Sequence, residues 1–453
     1  MIKFGTDRQT IHDLNIFPES KGVRSIFDIY NSTTTKGGRE KLEQMMRIPL
    51  TNADDINARL SSLKFICDNE IYCALDKDYL DFIEYYLNQN TPVLRDNLFD
   101  SLVARISYLI KPENEYYIIQ RGLEYIKNHL LILSDFLNDI STVDRPDFFN
   151  RLSEEIESIK SEPELGQLMK QDKDSFTFRQ INYFDFIIRK KSKETIRRVL
   201  RLSYELDAYL SVAYVSKKRN FGFPELAKAS PVYLKINGLF HPFLTSPIKN
   251  DFNILDGKNL CFVSGANMAG KSTFLKTVGL CVYLAHLGFP VPADEMKVSM
   301  FNGLYSTINI SDDINRGFSH YYSEVRRVKE IALMIKEKKN VMVIFDELFR
   351  GTNVKDAFDA TLMVAKGFSE IKNSLFFIST HIVEVGRELE KLNSVDFKCF
   401  ESYLRGAKAV YNYKLANGIS TERLGLTILR SEKVMEIIDE IVAKQKNALS
   451  LQE

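Results

Sequence analysis

One ten-residue stretch, Ser264 to Thr273, "SGANMAGKST", constrains the fold of this chain more than any other. Its portion from Gly265 to Ser272 fits G-x-x-x-x-G-K-[ST]. Glycines in such a loop let the backbone wrap closely, so that N–H groups converge on phosphate oxygens. Lys271 would reach the β- and γ-phosphates, and the Ser272 hydroxyl would bind magnesium. A helix starting at Lys271 would aim its positive dipole end at the same point. The chemistry therefore demands a strand, a tight loop and a helix in that order. The sequence supplies them: "NLCFVS" reads as a buried strand before the loop, and a helix-forming run follows it.

Two more apolar runs end in polar residues. "VMVIFDE" closes on Asp346, which would hold magnesium through water, and on Glu347, which would orient or activate the water that attacks the γ-phosphate. "SLFFISTH" closes on Ser379, Thr380 and His381; a polar strand end beside the phosphate-loop strand is where a γ-phosphate sensor sits, which nominates His381. Helical runs follow each strand. The alternation from about residue 231 onward predicts a mostly parallel α/β sheet with helices on its faces.

The part before residue 231 reads as helical. "KGGREKLEQMMRIPL" puts Leu42, Met45 and Met46 on one face and stops at Pro49. "NADDINARLSSLKFICDN" opens on cap-type residues and sets Ile56, Leu60, Leu63 and Ile66 in one stripe. Further helices are expected roughly at 80–135, 150–170 and 184–216. The expected division is a helical core and lever over 1–230 and a P-loop NTPase domain over 231–453.

The 453 residues carry 61 Lys and Arg against 60 Asp and Glu, a net charge of +1, so any nucleic-acid contact must come from local patches. The densest basic patch runs from Arg189 to Arg201 and includes Lys190, Lys191, Lys193, Arg197 and Arg198. On one helix several of these could meet DNA phosphates; equally, they could be the solvated face of a lever helix. The five cysteines are scattered without a CxxC pair, which points to reduced thiols in a cytoplasmic protein. No run of about 18 apolar residues occurs, so a membrane span is not expected. The amino terminus has no signal-peptide pattern.

"SGANMAGKSTFLK", "FDELFRGTN" and "ISTH" together resemble the ATPase domain of the MutS family of DNA mismatch-repair proteins. The pair Asn267 and Met268 inside the loop, and Arg350, Gly351 and Thr352 after the acids, are more specific than the general motif. "GFPVPADE", "ISDDI", "GLFHP" and "NGISTERLGLTILRSEKVMEII" resemble further family segments, the last being an element that helps two subunits pair. Residues 7–68 resemble the opening of the family's helical core. The resemblance implies an ABC-like ATPase domain, ATP and Mg²⁺ as ligands, a homodimer, and DNA, duplex or branched, between long helices. It implies nucleotide contacts from Gly265, Asn267, Met268, Gly270, Lys271, Ser272 and Thr273. It also implies that Ser319, in the Ser-x-x-x-x-Glu spacing that ends at Glu324, reaches the partner's ATP.

This chain departs from the pattern in several places. The helical core begins near residue 1, so the mismatch-reading and connector domains are expected to be absent. No clamp insertion fits 100–200. Phe349 stands where the family has glycine, and Ala266 where it has proline. No sure adenine-stacking aromatic is visible, although Pro247 and Ile248 fall in that region. The expected function is a MutS-like ATPase whose nucleotide cycle moves a dimer on DNA. The alternative is an ATP-switched assembly or regulatory protein that does not bind DNA.

Overall fold

The computed structural model describes residues 3–20, 22–89, 93, 114–140, 143–171, 176–227, 232–254, 257–308, 320–405, 408–420 and 433–449. The chain forms two compact units, one of Ser20–Arg219 with Leu287–Phe289, the other of Met1–Glu19, Asn220–His286 and Pro290–Glu453. The units therefore do not meet at residue 230. After α1 (Arg8–Asp13) the chain leaves the second unit and returns to it at Asn220.

The helical unit contains α2 (Ile26–Tyr30), α3 (Lys36–Arg47), α4 (Ala53–Asp68), α5 (Lys77–Leu87), α6 (Asn114–Asp139), α7 (Asp147–Ser161), α8 (Pro163–Met169), α9 (Phe178–Phe186) and α10 (Lys193–Arg219). The expected stripes are the buried ones: Leu42, Met45 and Met46 on α3, and Ile56, Leu60, Leu63 and Ile66 on α4. Thr35 and Asn52 cap these helices by accepting from Gly38 and Asp54 N–H groups. The 150–170 segment is two helices because Pro163, at the first position of α8, cannot continue α7. The 184–216 segment is also divided, by a π-turn at Ile187–Lys191 closed by Ser192 N–H to Ile187 O at 2.9 Å.

α10 fixes the unit through buried polar groups. The Asp207 carboxylate accepts from Thr34 N–H at 2.9 Å, Thr35 N–H at 2.8 Å and the Thr35 hydroxyl at 2.6 Å. The Ser211 hydroxyl donates to Tyr30 O at 2.7 Å and accepts from Ser32 N–H at 2.6 Å. A carboxylate buried without such donors would cost several kcal/mol, so these bonds fix the register of α10 against the start of α3.

The second unit carries ten strands, β1 (Pro224–Ala227), β2 (Leu234–Leu239), β3 (Asn250–Asn253), β4 (Leu260–Gly265), β5 (Glu295–Ser299), β6 (Gly303–Thr307), β7 (Val341–Phe345), β8 (Leu375–Ser379), β9 (Val395–Arg405) and β10 (Lys408–Asn417), among its described residues. Its larger sheet has the order β10-β9-β4-β8-β7-β6. All of its pairs are parallel except β9 with β10, as the strand–helix alternation predicts. A smaller mixed sheet, β1-β5-β2-β3, was not foreseen; its strands are short and its pairing is non-local. The helices are α11 (Lys271–His286), α12 (His320–Lys338), α13 (Val354–Ser369), α14 (Val383–Leu389) and α15 (Val434–Leu449). α11 is apolar round most of its circumference and buried along most of its length, as a central helix must be.

The first residues belong to this unit because β6 would otherwise present unpaired groups. Thr10 Oγ1 accepts from Ser306 N–H at 2.9 Å, and Asp13 accepts from the Ser306 hydroxyl at 2.7 Å and Ile308 N–H at 2.9 Å. The resemblance of residues 7–68 to the family's helical core put this segment with the helices that follow it; the structure instead counts Met1–Glu19 with the second unit. Among the described residues no helix is long and apolar enough to cross a membrane.

Candidate nucleotide site

The parallel strands β4, β8 and β7 lie side by side, and their carboxyl ends bring the three polar segments together. After β4 the backbone turns through left-handed conformations at Gly265 (φ +142°), Met268 (φ +70°) and Gly270 (φ +110°). A Cβ on Gly265 would sit 2.9 Å from Phe400 O, so the loop can pass β9 only as glycine. Lys271 is buried, and its Nζ donates to Gly265 O at 2.8 Å and Ala266 O at 3.1 Å, folding back over the loop. Burial lowers its pKa; the nearby Glu347 and Asp346 oppose that shift.

Asp346 lies mostly out of water, and burial raises its pKa. Hydrogen bonds from the Ser272 and Ser379 hydroxyls act the other way, by stabilising the charged form. Ser379 also accepts from Glu347 N–H at 3.0 Å. One hydroxyl on β8 thus holds the acid pair of β7. Ser272 and Asp346, already hydrogen-bonded, are two hard oxygen donors on one point, which suits Mg²⁺. Buried negative charge at that point gains from a cation.

A cavity of about 650 Å³ opens from the loop. Asn267, Met268, Gly270, Lys271, Ser272, Thr273 and Glu347 line one part of it. His241, Leu244, Pro247, Ile248 and Tyr413 line another. His241 has its pKa lowered to about 4, by burial first and by Lys276 second, so its ring is neutral near pH 7. Asn250 fixes this wall: its amide donates to Ile248 O at 3.3 Å and Tyr413 O at 3.0 Å, and its oxygen accepts from Leu415 N–H at 2.8 Å. Tyr413 stands at φ +53° where the β9–β10 register shifts. Sequence reasoning placed Pro247 and Ile248 near this wall but missed His241, Tyr413, Asn250 and the role of Ser379. Only the polar end of "SLFFIST" hinted at the last; the β10 bulge left no local signal.

Two other expectations fare differently. His381 is exposed, and it is absent from the cavity lining. Ser319 lies outside the described residues.

The basic stretch is not a uniform charged face. Arg189, read as a phosphate contact, is buried: its Nε and Nη2 donate to the two Asp185 oxygens at 2.6 and 2.7 Å. Tyr86 donates to the same carboxylate at 2.7 Å. The counter-charge lies four residues upstream, just outside the basic window, so charge counting from Arg189 overlooked it. Lys191 pairs with Glu164, Arg197 with Glu194, and Arg198 with Glu155. Lys190 and Arg201 are exposed, Lys193 is half-buried, and none of the three is in an ion pair among the described residues.

Comparison with known proteins agrees with the earlier resemblance. A family model described as MutS domain III matches residues 9–213, and one described as MutS domain V matches 261–451. The chain is 23% identical to the DNA mismatch repair protein MutS of Petrotoga mobilis, over 98% of this chain and 65% of that protein. It is 34% identical to the DNA mismatch repair protein MutS of Thermus aquaticus over 43% of this chain and 23% of the relative. It is 21% identical to the human MutS protein homolog 4 over 92% of this chain and 56% of the relative. The chain therefore spans less than two thirds of the length of each of these relatives.

Proposed function

Since this chain belongs to the MutS family, we propose that it binds and hydrolyses ATP in an ABC-like domain and uses the cycle to change its conformation on DNA. The observation that carries this reading is the Ser379-bridged pair Asp346 and Glu347 facing a left-handed phosphate loop and a cavity of about 650 Å³. Gly265, Asn267, Met268, Gly270 and Thr273 cradle the triphosphate, and Lys271 exchanges its two carbonyl partners for phosphate oxygens. Ser272 and Asp346 would hold Mg²⁺, whose contribution is to neutralise phosphate charge. Glu347 orients the attacking water. His381 is proposed as a γ-phosphate sensor on the strength of its place after β8, and Ser319 as a contact to a second subunit's nucleotide.

Pairing into a homodimer is supported by α15, whose Val434, Ile437, Ile438, Ile441 and Val442 are exposed in a helical stripe. A division into a helical arm and an ATPase unit is proposed as the working arrangement. The DNA part is proposed for Lys190, Lys193 and Arg201, with Lys191, Arg197 and Arg198 contributing once released from their carboxylates. The burial of Arg189 and those pairings favour a second reading, an ATP-switched assembly protein that leaves DNA alone.

The test is the ATPase rate with no DNA and with linear, mismatched and branched duplexes, beside Glu347→Gln. The variant is expected to bind ATP normally and to lose turnover; normal turnover would overturn the role given to Glu347.

A further inference from the structure

The loop after β7 is strained in a way the phosphate chemistry does not explain. Glu347 has φ +52° and Phe349 φ +61°, and neither is glycine. A side-chain-bearing residue in this region costs about 1–2 kcal/mol, and it persists only where the surroundings over-determine the backbone. On the Phe349 side, burial of the ring offsets that cost with about 2–3 kcal/mol. It is 3% exposed and packs on Tyr321, with ring centroids 5.7 Å apart. One turn further along α12, the buried Glu324 carboxylate accepts from Arg350 N–H at 3.3 Å and approaches Gly351 N–H at 3.5 Å. The Arg350 guanidinium in turn lies 3.3 Å from Glu347 Oε2.

The start of α12 is thus a post against which the Glu347 loop rests. The post is itself fixed. Arg327 donates to Asp7 at 2.6 Å, to Thr307 Oγ1 at 3.1 Å and to Ser306 O at 2.8 Å. On the other side Ser379, which also donates to Asp346, reaches Glu347 through its backbone N–H and not its carboxylate. Nothing else among the described hydrogen bonds reaches the backbone N–H groups of Arg350 and Gly351.

We propose that Tyr321 and Glu324 are positioning residues for ATP hydrolysis: they hold the loop that aims the Glu347 carboxylate, without touching nucleotide. This rests on the role given to Glu347 above. A misplacement of about 1 Å at a reacting group can cost about 100-fold in rate, while nucleotide affinity, set by the phosphate loop, should not follow. A residue that merely stabilised the unit would move affinity, hydrolysis and melting temperature together.

The experiment uses the full chain. A fluorescent ATP analogue gives Kd, single-turnover hydrolysis gives the chemical step, and a melting curve monitors folding, each for wild type, Glu324→Ala, Glu324→Gln, Tyr321→Leu and Glu347→Gln. Glu324→Ala should slow hydrolysis by about 10- to 100-fold with Kd changed less than about twofold. Glu324→Gln should recover part of the rate, since its one amide oxygen can still accept from Arg350 N–H, the shorter of the two bonds, while its NH2 group replaces the oxygen that faces Gly351 N–H. If Glu324→Ala fails to fold, Tyr321→Leu carries the same expectation. Wild-type hydrolysis in Glu324→Ala beside an inactive Glu347→Gln overturns the positioning role alone. Wild-type hydrolysis in Glu347→Gln overturns both assignments. Parallel losses of rate, affinity and melting temperature, or no recovery in Glu324→Gln, reduce Glu324 to a structural residue and overturn the proposal.

Discussion

Ser379 is a single hydroxyl serving two neighbours: it donates to the Asp346 carboxylate and accepts from Glu347 N–H at 3.0 Å. Burial already pushes the Asp346 pKa up, and this bond holds it down. Ser379→Ala removes a bond made to the charged form, so the Asp346 pKa should rise further. More of the carboxyl is then protonated at a given acidic pH. The acid limb of the ATPase profile should move to higher pH, with activity recovered in mild alkali; an unchanged profile between pH 5.5 and 9 would contradict this. At this scale the sequence was most legible where the chemistry is local. Lys271, Ser272, Asp346 and Glu347 sit in motifs whose spacing alone led to the roles proposed for them. Ser379 gains its role only because β8 lies between β4 and β7, and no local pattern states a strand order. Tyr413 reaches the cavity through a bulge, and Asn250 through a bond across the chain, which periodicity does not record.

Among elements, the π-turn between α9 and α10 shows how a charge run can mislead. Its Arg189 is committed to Asp185, and the pair is 3% and 0% exposed. Arg189→Ala would strand a buried carboxylate and should cost roughly 3–5 kcal/mol in a urea titration, whereas the exposed Arg201→Ala should stay within about 0.5 kcal/mol. α6 carries a second buried titratable group. His129 shares a 2.8 Å hydrogen bond with Ser203 on α10, and burial, opposed by Asp76, lowers its pKa from 6.5 to about 4. The unfolded chain binds a proton at this residue below pH 6.5, and the folded chain does so only near pH 4. Stability from the neutral ring is therefore complete above pH 6.5 and is lost as pH falls toward 4, by roughly 3 kcal/mol. Urea midpoints at pH 7 and 4.5 should show the loss in wild type and a smaller one in His129→Gln. Helix positions and buried stripes in α3 and α4 were readable in advance because 3.6-residue periodicity encodes them. The breaks were less so: a π-turn satisfies its backbone bonds internally and leaves no composition signal.

For the whole molecule, salt dependence separates the two functional readings. Each phosphate neutralised contributes about 0.9 to the slope of log affinity against log salt. Replacing Lys190, Lys193 and Arg201 together by Gln should lower that slope by about 2–3 in fluorescence anisotropy between 50 and 200 mM salt. Failure of the wild type to bind any duplex at 50 mM would favour the assembly reading. The fold class was legible from alternating strands, but the boundary between units was not, because α1 is six residues long and buries polar side chains, Thr10 and Asp13, which do not reveal the surface it will cover. The helical unit interrupts the sequence of the other one: α1 precedes it, and β6 lies 296 residues beyond Thr10. A ribosome adds about 5–20 residues per second, so Thr10 and Asp13 wait roughly 15–60 s before Ser306 exists to bond them. During synthesis α1 must stay unclaimed while the helical unit folds ahead of it, and the second unit becomes whole only after this helix has been recovered from a long delay.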